Sequence, residues 1–321
     1  MTAYKPQRIF RNAHVNTVYH SQVRNVSDLI YVRKKFELED GDFLDLDLSF
    51  TGGKSLAVIL HGLESSAGRP YMKGMAKALN DSGIDAMCVN FRGCGGEPNR
   101  LLRFYHSGDT EDVRQIIRQI SNEMDYENIF MVGFSLGANV LLKFLGEEGT
   151  NAKSGYGISK AAAVSVPCDL ASASKALDSS GNFIYRKRFL KKLGKTLARK
   201  KELHPDKINL SDFKKIKTLK EYDDRYTSVL HGFSDSNEYY EKASSKPYLR
   251  GISIPVLIIN ALDDPFLGKE CYPDENEARE NDYIDWIVTK FGGHVGFSSI
   301  GNGPFWHEKR ICGHFTDIDG I

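Results

Sequence analysis

Ile129-Phe130-Met131-Val132-Gly133-Phe134-Ser135-Leu136-Gly137-Ala138-Asn139 reads as a short apolar strand, a sharp turn and the start of a helix. At the turn, Gly133-Phe134-Ser135-Leu136-Gly137 matches G-x-S-x-G, the pattern that holds a serine on a tight strand-to-helix bend with its hydroxyl outward. The bend crowds the positions two before and two after the serine, and glycine fits both because it has no Cβ. The helix that follows (Ala138 to Leu145, with Val140, Leu141, Leu142 and Phe144) turns its free N–H groups and positive dipole end toward the serine. A glycine-rich turn with an exposed serine is the plainer reading, and the flanking strand and helix favour a nucleophile.

Working outward, Leu56–Leu60, Ile84–Phe91 and Lys160–Val166 are further apolar runs, as expected for strands covered on both faces. Helical patterns separate them: Tyr71–Leu79, and Thr110–Ile120 with Asp109 or Thr110 placed to cap it. Strand alternating with helix predicts an α/β fold, a mostly parallel doubly wound sheet. Ahead of it, Phe36 to Phe50 alternates apolar and acidic residues around Asp40-Gly41, which predicts half-buried antiparallel strands joined by a hairpin. The rhythm breaks at Asp169. Residues 171–247 hold no apolar strand run and resume the sheet only at Ile254–Ala261 and Tyr283–Thr289. The chain 1–321 therefore reads as a single domain with 171–247 inserted as a helical cap over the strands' carboxyl ends.

Lys and Arg total 43 against 42 Asp and Glu, so the net charge of +1 offers no attraction for nucleic acid. Cys88, Cys94, Cys168, Cys271 and Cys312 are scattered without a C-x-x-C pair, which fits a reducing, cytoplasmic compartment better than a disulfide framework or a zinc site. The polar start of the chain resembles no signal peptide, and no apolar run reaches membrane-spanning length.

A serine hydroxyl needs a base, and the base needs a group that sets its tautomer. For this kind of bend the expected chain order is serine, acid, histidine. Ile258–Pro265 carries Asp263 and Asp264 just past a strand, and Gly292-Gly293-His294-Val295-Gly296 carries His294 past the last one. Adjacent aspartates on extended backbone face opposite ways, so one can meet the imidazole. Asp264 is preferred, with Asp263 as a turn-capping neighbour. The backbone N–H groups of Leu136 and Leu63 are the candidate oxyanion donors. His61 precedes the serine and ends a strand, so a structural hydrogen bond suits it better than catalysis. Gly93-Cys94-Gly95-Gly96 fails the dinucleotide fingerprint because Pro98 stands where the third glycine belongs. No histidine–carboxylate spacing suggests a metal, and no cofactor is expected. The basic stretch 186–201 carries Phe189, Leu190, Leu193 and Leu197 at helical spacing; packing on the pocket is favoured over docking on a membrane surface.

These residues resemble the α/β-hydrolase fold and, within it, the YheT-like group, which is related to animal phospholipase-type α/β-hydrolase domain proteins and to medium-chain fatty-acid ethyl ester synthases. The similar stretches include His61–Ser66, Asn90–Cys94, Tyr105–Gly108, Gly133–Asn139, Tyr222–Asp224, His231–Phe233, Asp263–Phe266 and Gly292–Phe297. The resemblance implies a triad of Ser135, Asp264 and His294. The expectation is a serine esterase acting on a small-molecule ester, with transfer of the acyl group to an alcohol as the alternative and a non-catalytic binding protein as a third reading.

Overall fold

Among the described residues, eight strands form a single sheet: β1 (Val32–Glu37), β2 (Phe43–Ser49), β3 (Ser55–Leu60), β4 (Asp85–Asn90), β5 (Asn128–Phe134), β6 (Ile158–Val164), β7 (Val256–Ala261) and β8 (Ile284–Thr289). The computed structural model describes residues 3–273, 281–301 and 303–317. The spatial order is β1-β2-β4-β3-β5-β6-β7-β8. β2 runs against both of its neighbours, and the pairings from β4 to β8 are parallel. The helices that matter here are α1 (Ala13–Val18), α2 (Pro70–Asp81), α3 (Glu111–Glu123), α4 (Leu136–Glu148), α5 (Leu170–Leu177), α6 (Phe183–Leu203), α7 (Ser236–Ala243) and α8 (Trp306–Thr316).

The period-2 geometry of a strand explains the two-sided core. Val58 and Leu60 of β3 point to one face, where Val113 and Ile116 of α3 and Val140 and Leu141 of α4 pack. Ala57 and Ile59 point to the other, against Met72 and Met75 of α2 and Ile311 and Phe315 of α8. Burial of one such aliphatic side chain contributes about 1.5–3 kcal/mol, which is why unbroken apolar runs occupy the central strands.

Two local expectations are corrected. β2 is buried along its whole length rather than on one face: Leu44, Leu46 and Leu48 join the core, and Asp45, Asp47 and Ser49 on the other side are covered by Gly95, Arg33 and Asn80. Its acidic Asp47 is accommodated by Arg33, whose Nε and Nη2 reach the carboxylate at 2.7 and 2.6 Å, and by Asn90 Nδ2 at 2.9 Å. Neither Asp109 nor Thr110 caps α3 with its side chain. Thr110 Oγ1 donates to Glu147 (2.6 Å) and Asp109 accepts from Arg103 (2.7 Å), so tertiary partners displace the local bond.

Residues 171–247 contain helices and loops and no strand, and they lie between β6 and β7 in the chain. Asn139 on α4 stitches this segment down. Its Nδ2 donates to the carbonyls of Ser107 (2.7 Å) and Ala243 (2.8 Å), and its Oδ1 accepts the N–H of Ser245 (2.9 Å). One buried amide thus satisfies three backbone groups that would otherwise lack partners at that seam.

Candidate active site

Ser135 sits between β5 and α4 with φ 53° and ψ −120°, a backbone conformation that is costly for any residue with a side chain. The glycines make room for it. A Cβ on Gly133 would lie 2.6 Å from Ala138 Cα and from the Gly137 carbonyl oxygen. A Cβ on Gly137 would strike the carbonyl oxygens of Leu60 and His61 at 2.5 and 2.6 Å, so this glycine is required by β3 rather than by its own turn. The Ser135 N–H is held by the Val164 carbonyl at the end of β6 (2.9 Å).

Three side chains from three strand ends meet at this bend. His294 Nε2 lies 2.8 Å from Ser135 Oγ, and His294 Nδ1 lies 2.9 and 3.1 Å from the two carboxylate oxygens of Asp264. An ionised carboxylate can only accept, so Nδ1 carries the hydrogen and the Nε2 lone pair faces the serine hydroxyl. The Phe266 N–H also donates to Asp264 (2.8 Å), which fixes the carboxylate against rotation. Asp263 turns away: its Oδ1 accepts the Gly293 N–H at 2.9 Å and so shapes the histidine loop. Burial raises the pKa of Asp263, and that backbone N–H opposes the rise.

Leu136 is the first residue of α4, so its N–H has no partner within the helix. Around Leu63, the Gly62 N–H is held by the Tyr71 hydroxyl (3.0 Å) and the Glu64 N–H by the Tyr105 hydroxyl (2.8 Å). A Cβ on Gly62 would come within 3.1 Å of Ser135 Cβ, which measures how closely this loop approaches the serine. His61 is fully buried; its Nε2 accepts the Phe91 N–H (3.2 Å) and its Nδ1 faces the Gly62 carbonyl (2.7 Å). Burial lowers its pKa to about 4, so it is a neutral strut of the loop.

The sequence reading missed the N-terminal segment, where no hydrophobic period stands out. Thr17 Oγ1 of α1 accepts the His294 N–H (2.8 Å), and Asn16 Oδ1 accepts the Ser298 N–H (2.9 Å). Tyr4 donates to the Ser298 carbonyl (2.8 Å) and His20 bonds the Val295 carbonyl. This grip holds a loop in which Gly293, Val295 and Phe297 all have positive φ. Phe266 lies against the imidazole with ring centroids 4.3 Å apart.

Among the described residues, His20, His307 and Glu308 bring ligand atoms within 4.8 Å of one another, a grouping invisible in the linear spacing. Arg24 already supplies the cation there, donating to both Glu308 oxygens at 2.5 and 3.0 Å. Among the described residues, no helix is long and apolar enough to cross a membrane.

Residues 58–297 match the family model described as the alpha/beta hydrolase fold. The chain belongs to the α/β-hydrolase fold family. This hydrolase is 34% identical to the putative esterase YheT of Escherichia coli over 95% of its own length and 91% of that protein's. It is 29% identical to the monoacylglycerol lipase of Saccharomyces cerevisiae over 84% of its own length and 60% of that protein's. A solved structure of the Pyrococcus furiosus esterase Pf2001 covers 92% of this chain, and the chain covers 99% of it, with a TM-score of 0.59 and 18% identity, a likeness of fold. The hydrolase is of the esterase/lipase type.

Proposed function

We propose that this hydrolase cleaves carboxylic esters of acyl or lipid type through Ser135, His294 and Asp264. His294 Nε2 takes the Ser135 proton as Oγ attacks the ester carbonyl. The developing oxyanion is held by the N–H groups of Leu63 and Leu136, and Asp264 orients and stabilises the imidazolium. The tetrahedral species collapses when His294 returns the proton to the leaving alcohol oxygen. Water, deprotonated by the same nitrogen, then attacks the acyl-enzyme and releases the acid. The observation that carries this reading is the unbroken hydrogen-bond run from Ser135 through His294 to Asp264, at 2.8 and 2.9 Å.

Residues 171–247 are assigned as the cap of a single domain, because their side chains close over the nucleophile: Tyr185, Phe189 and Lys192 on one side, Leu219 and Tyr239 on the other. If an alcohol replaces water at the acyl-enzyme, the product is a new ester instead of the acid. Fluorophosphonate labelling tests the nucleophile: the full chain labels and Ser135→Ala does not, whereas an unlabelled wild type overturns the assignment. The ratio of acid to ethyl ester formed in water–ethanol mixtures measures the acceptor preference.

A further inference from the structure

The crevice at Ser135 has two unlike arms. One runs under α5 and α6 and is walled by Leu136, Leu170, Leu177, Leu219, Phe266 and Leu267. The other, about 110 Å³, runs past Gly62 and His294, shares Phe189 and Phe266 with the first, and brings Arg69, Arg188 and Lys192 together beside Tyr71 and Tyr185. These three cations converge from separate places. Arg69 precedes α2, while Arg188 and Lys192 lie one helical turn apart on α6.

Like charges at this spacing repel, and nothing in the arm cancels them fully. Among the described residues, none of the three forms an ion pair within 4 Å. Lys192 donates to the Glu64 carbonyl (2.8 Å) and Arg188 to Gln22 Oε1 (2.6 Å), which uses a small part of their donor capacity. Among the described residues, the one carboxylate in the wall, Glu64, is committed to Thr196 Oγ1 (2.9 Å) and the Tyr105 hydroxyl (3.4 Å). The crowding acts on their acidities. Burial, then Arg69 and Arg188, push Lys192 down to about 8, and burial, then Arg69, lower Arg188. A hydrocarbon chain in this arm would desolvate the cations without compensating them, so the acyl chain belongs in the apolar arm.

We propose that the cationic arm receives a phosphate group on the alcohol half of the substrate, so that the preferred ester has one apolar arm and one phosphate-bearing arm. The inference rests on the hydrolysis proposed at Ser135. Two guanidinium groups and an ammonium offer more donors than a carboxylate can accept, and they match the oxygens of a phosphate.

The test compares kcat/KM of the full chain on 1-octanoylglycerol 3-phosphate and on 1-octanoylglycerol, both kept monomeric. The wild type favours the phosphate ester by about tenfold or more, mainly through KM. Arg188→Gln and Arg69→Gln each lower that ratio several-fold, and about 0.5 M NaCl lowers it in the wild type. Because each variant is its own reference on the neutral ester, a general loss of fold does not mimic the result. A wild-type ratio near one, or a ratio the variants leave unmoved, overturns the proposal while fluorophosphonate labelling of Ser135 leaves the hydrolase reading standing. A preference seen only on vesicles of the phosphate ester overturns it in favour of surface docking. Absence of both labelling and turnover on either ester overturns the hydrolytic reading as well.

Discussion

The apolar and cationic arms share Ser135, His294, Leu63, Phe189 and Phe266 and differ in the side chains beyond them. The apolar arm is lined by side chains whose contribution is area, and it discriminates weakly, methylene by methylene. The cationic arm holds three cations against one carboxylate, Glu64, and under the proposal above it discriminates by whether a counter-charge arrives. The seam below them shows the same contrast. Asn139 answers three backbone groups with one amide, whereas Arg69, Arg188 and Lys192 keep donors to spare.

The comparison breaks if both arms do not serve one reaction centre. The sharpest test lies between two adjacent acids. Asp264→Asn should lower kcat by about 10³–10⁴, because Asn can present an N–H to Nδ1 and favour the wrong imidazole tautomer. Asp263→Asn should cost less than about tenfold, because it keeps an acceptor for the Gly293 N–H. Equal losses in steady-state kinetics would mean that the acid has been misassigned.

Next in size is the seam. Asn139→Leu strands two carbonyls and an N–H, and should cost about 3 kcal/mol in urea unfolding. A change below about 0.5 kcal/mol would show that water replaces the amide at little cost.

The apolar arm can be shortened. Leu219 borders both the recess beside Ser135 and its continuation toward Leu193 and Leu230. Leu219→Trp should lower kcat/KM on octanoyl esters about tenfold relative to acetyl esters. An unchanged chain-length profile would place the acyl chain elsewhere.

The smallest effect sharpens the cationic arm. Lys192 is held down to about 8 by burial and by Arg69 and Arg188, against the opposing Glu64 and Cys94. Below that pH it is charged and above it neutral, so KM for a phosphate-bearing ester should be lowest between about pH 6.5 and 7.5, where the phosphate is past its own second pKa of about 6, and rise a few-fold above about pH 8. The same profile on the neutral ester should lack the rise. Parallel profiles would assign the titration to the reaction centre instead.

Much of this could be read in the residues. Runs such as Leu56–Leu60 and Val256–Ile259 are apolar at every position because both faces are covered, so strand identity and parallel order follow from composition and spacing. Gly133 and Gly137 announce the bend because a Cβ at either position would collide with backbone. The half-buried expectation for Phe43–Ser49 failed because alternation reports which side chains are polar, and Arg33 and Asn90 make buried aspartates tolerable from other strands. The cap of α3 failed because Glu147 and Arg103 compete for Thr110 and Asp109.

What the sequence determined by itself is the order of elements, the family resemblance, and a serine, two acids and a histidine placed after strands. These depend on local sterics and on burial, which a linear pattern records. Tertiary structure alone decided that Asp263 turns to the Gly293 N–H, that the N-terminal segment grips the histidine loop, and that Arg69 joins Arg188 and Lys192 in one wall. Those outcomes depend on distances between residues far apart in the chain, where a carboxylate becomes a partner, or three cations a site, only once folding has set them side by side.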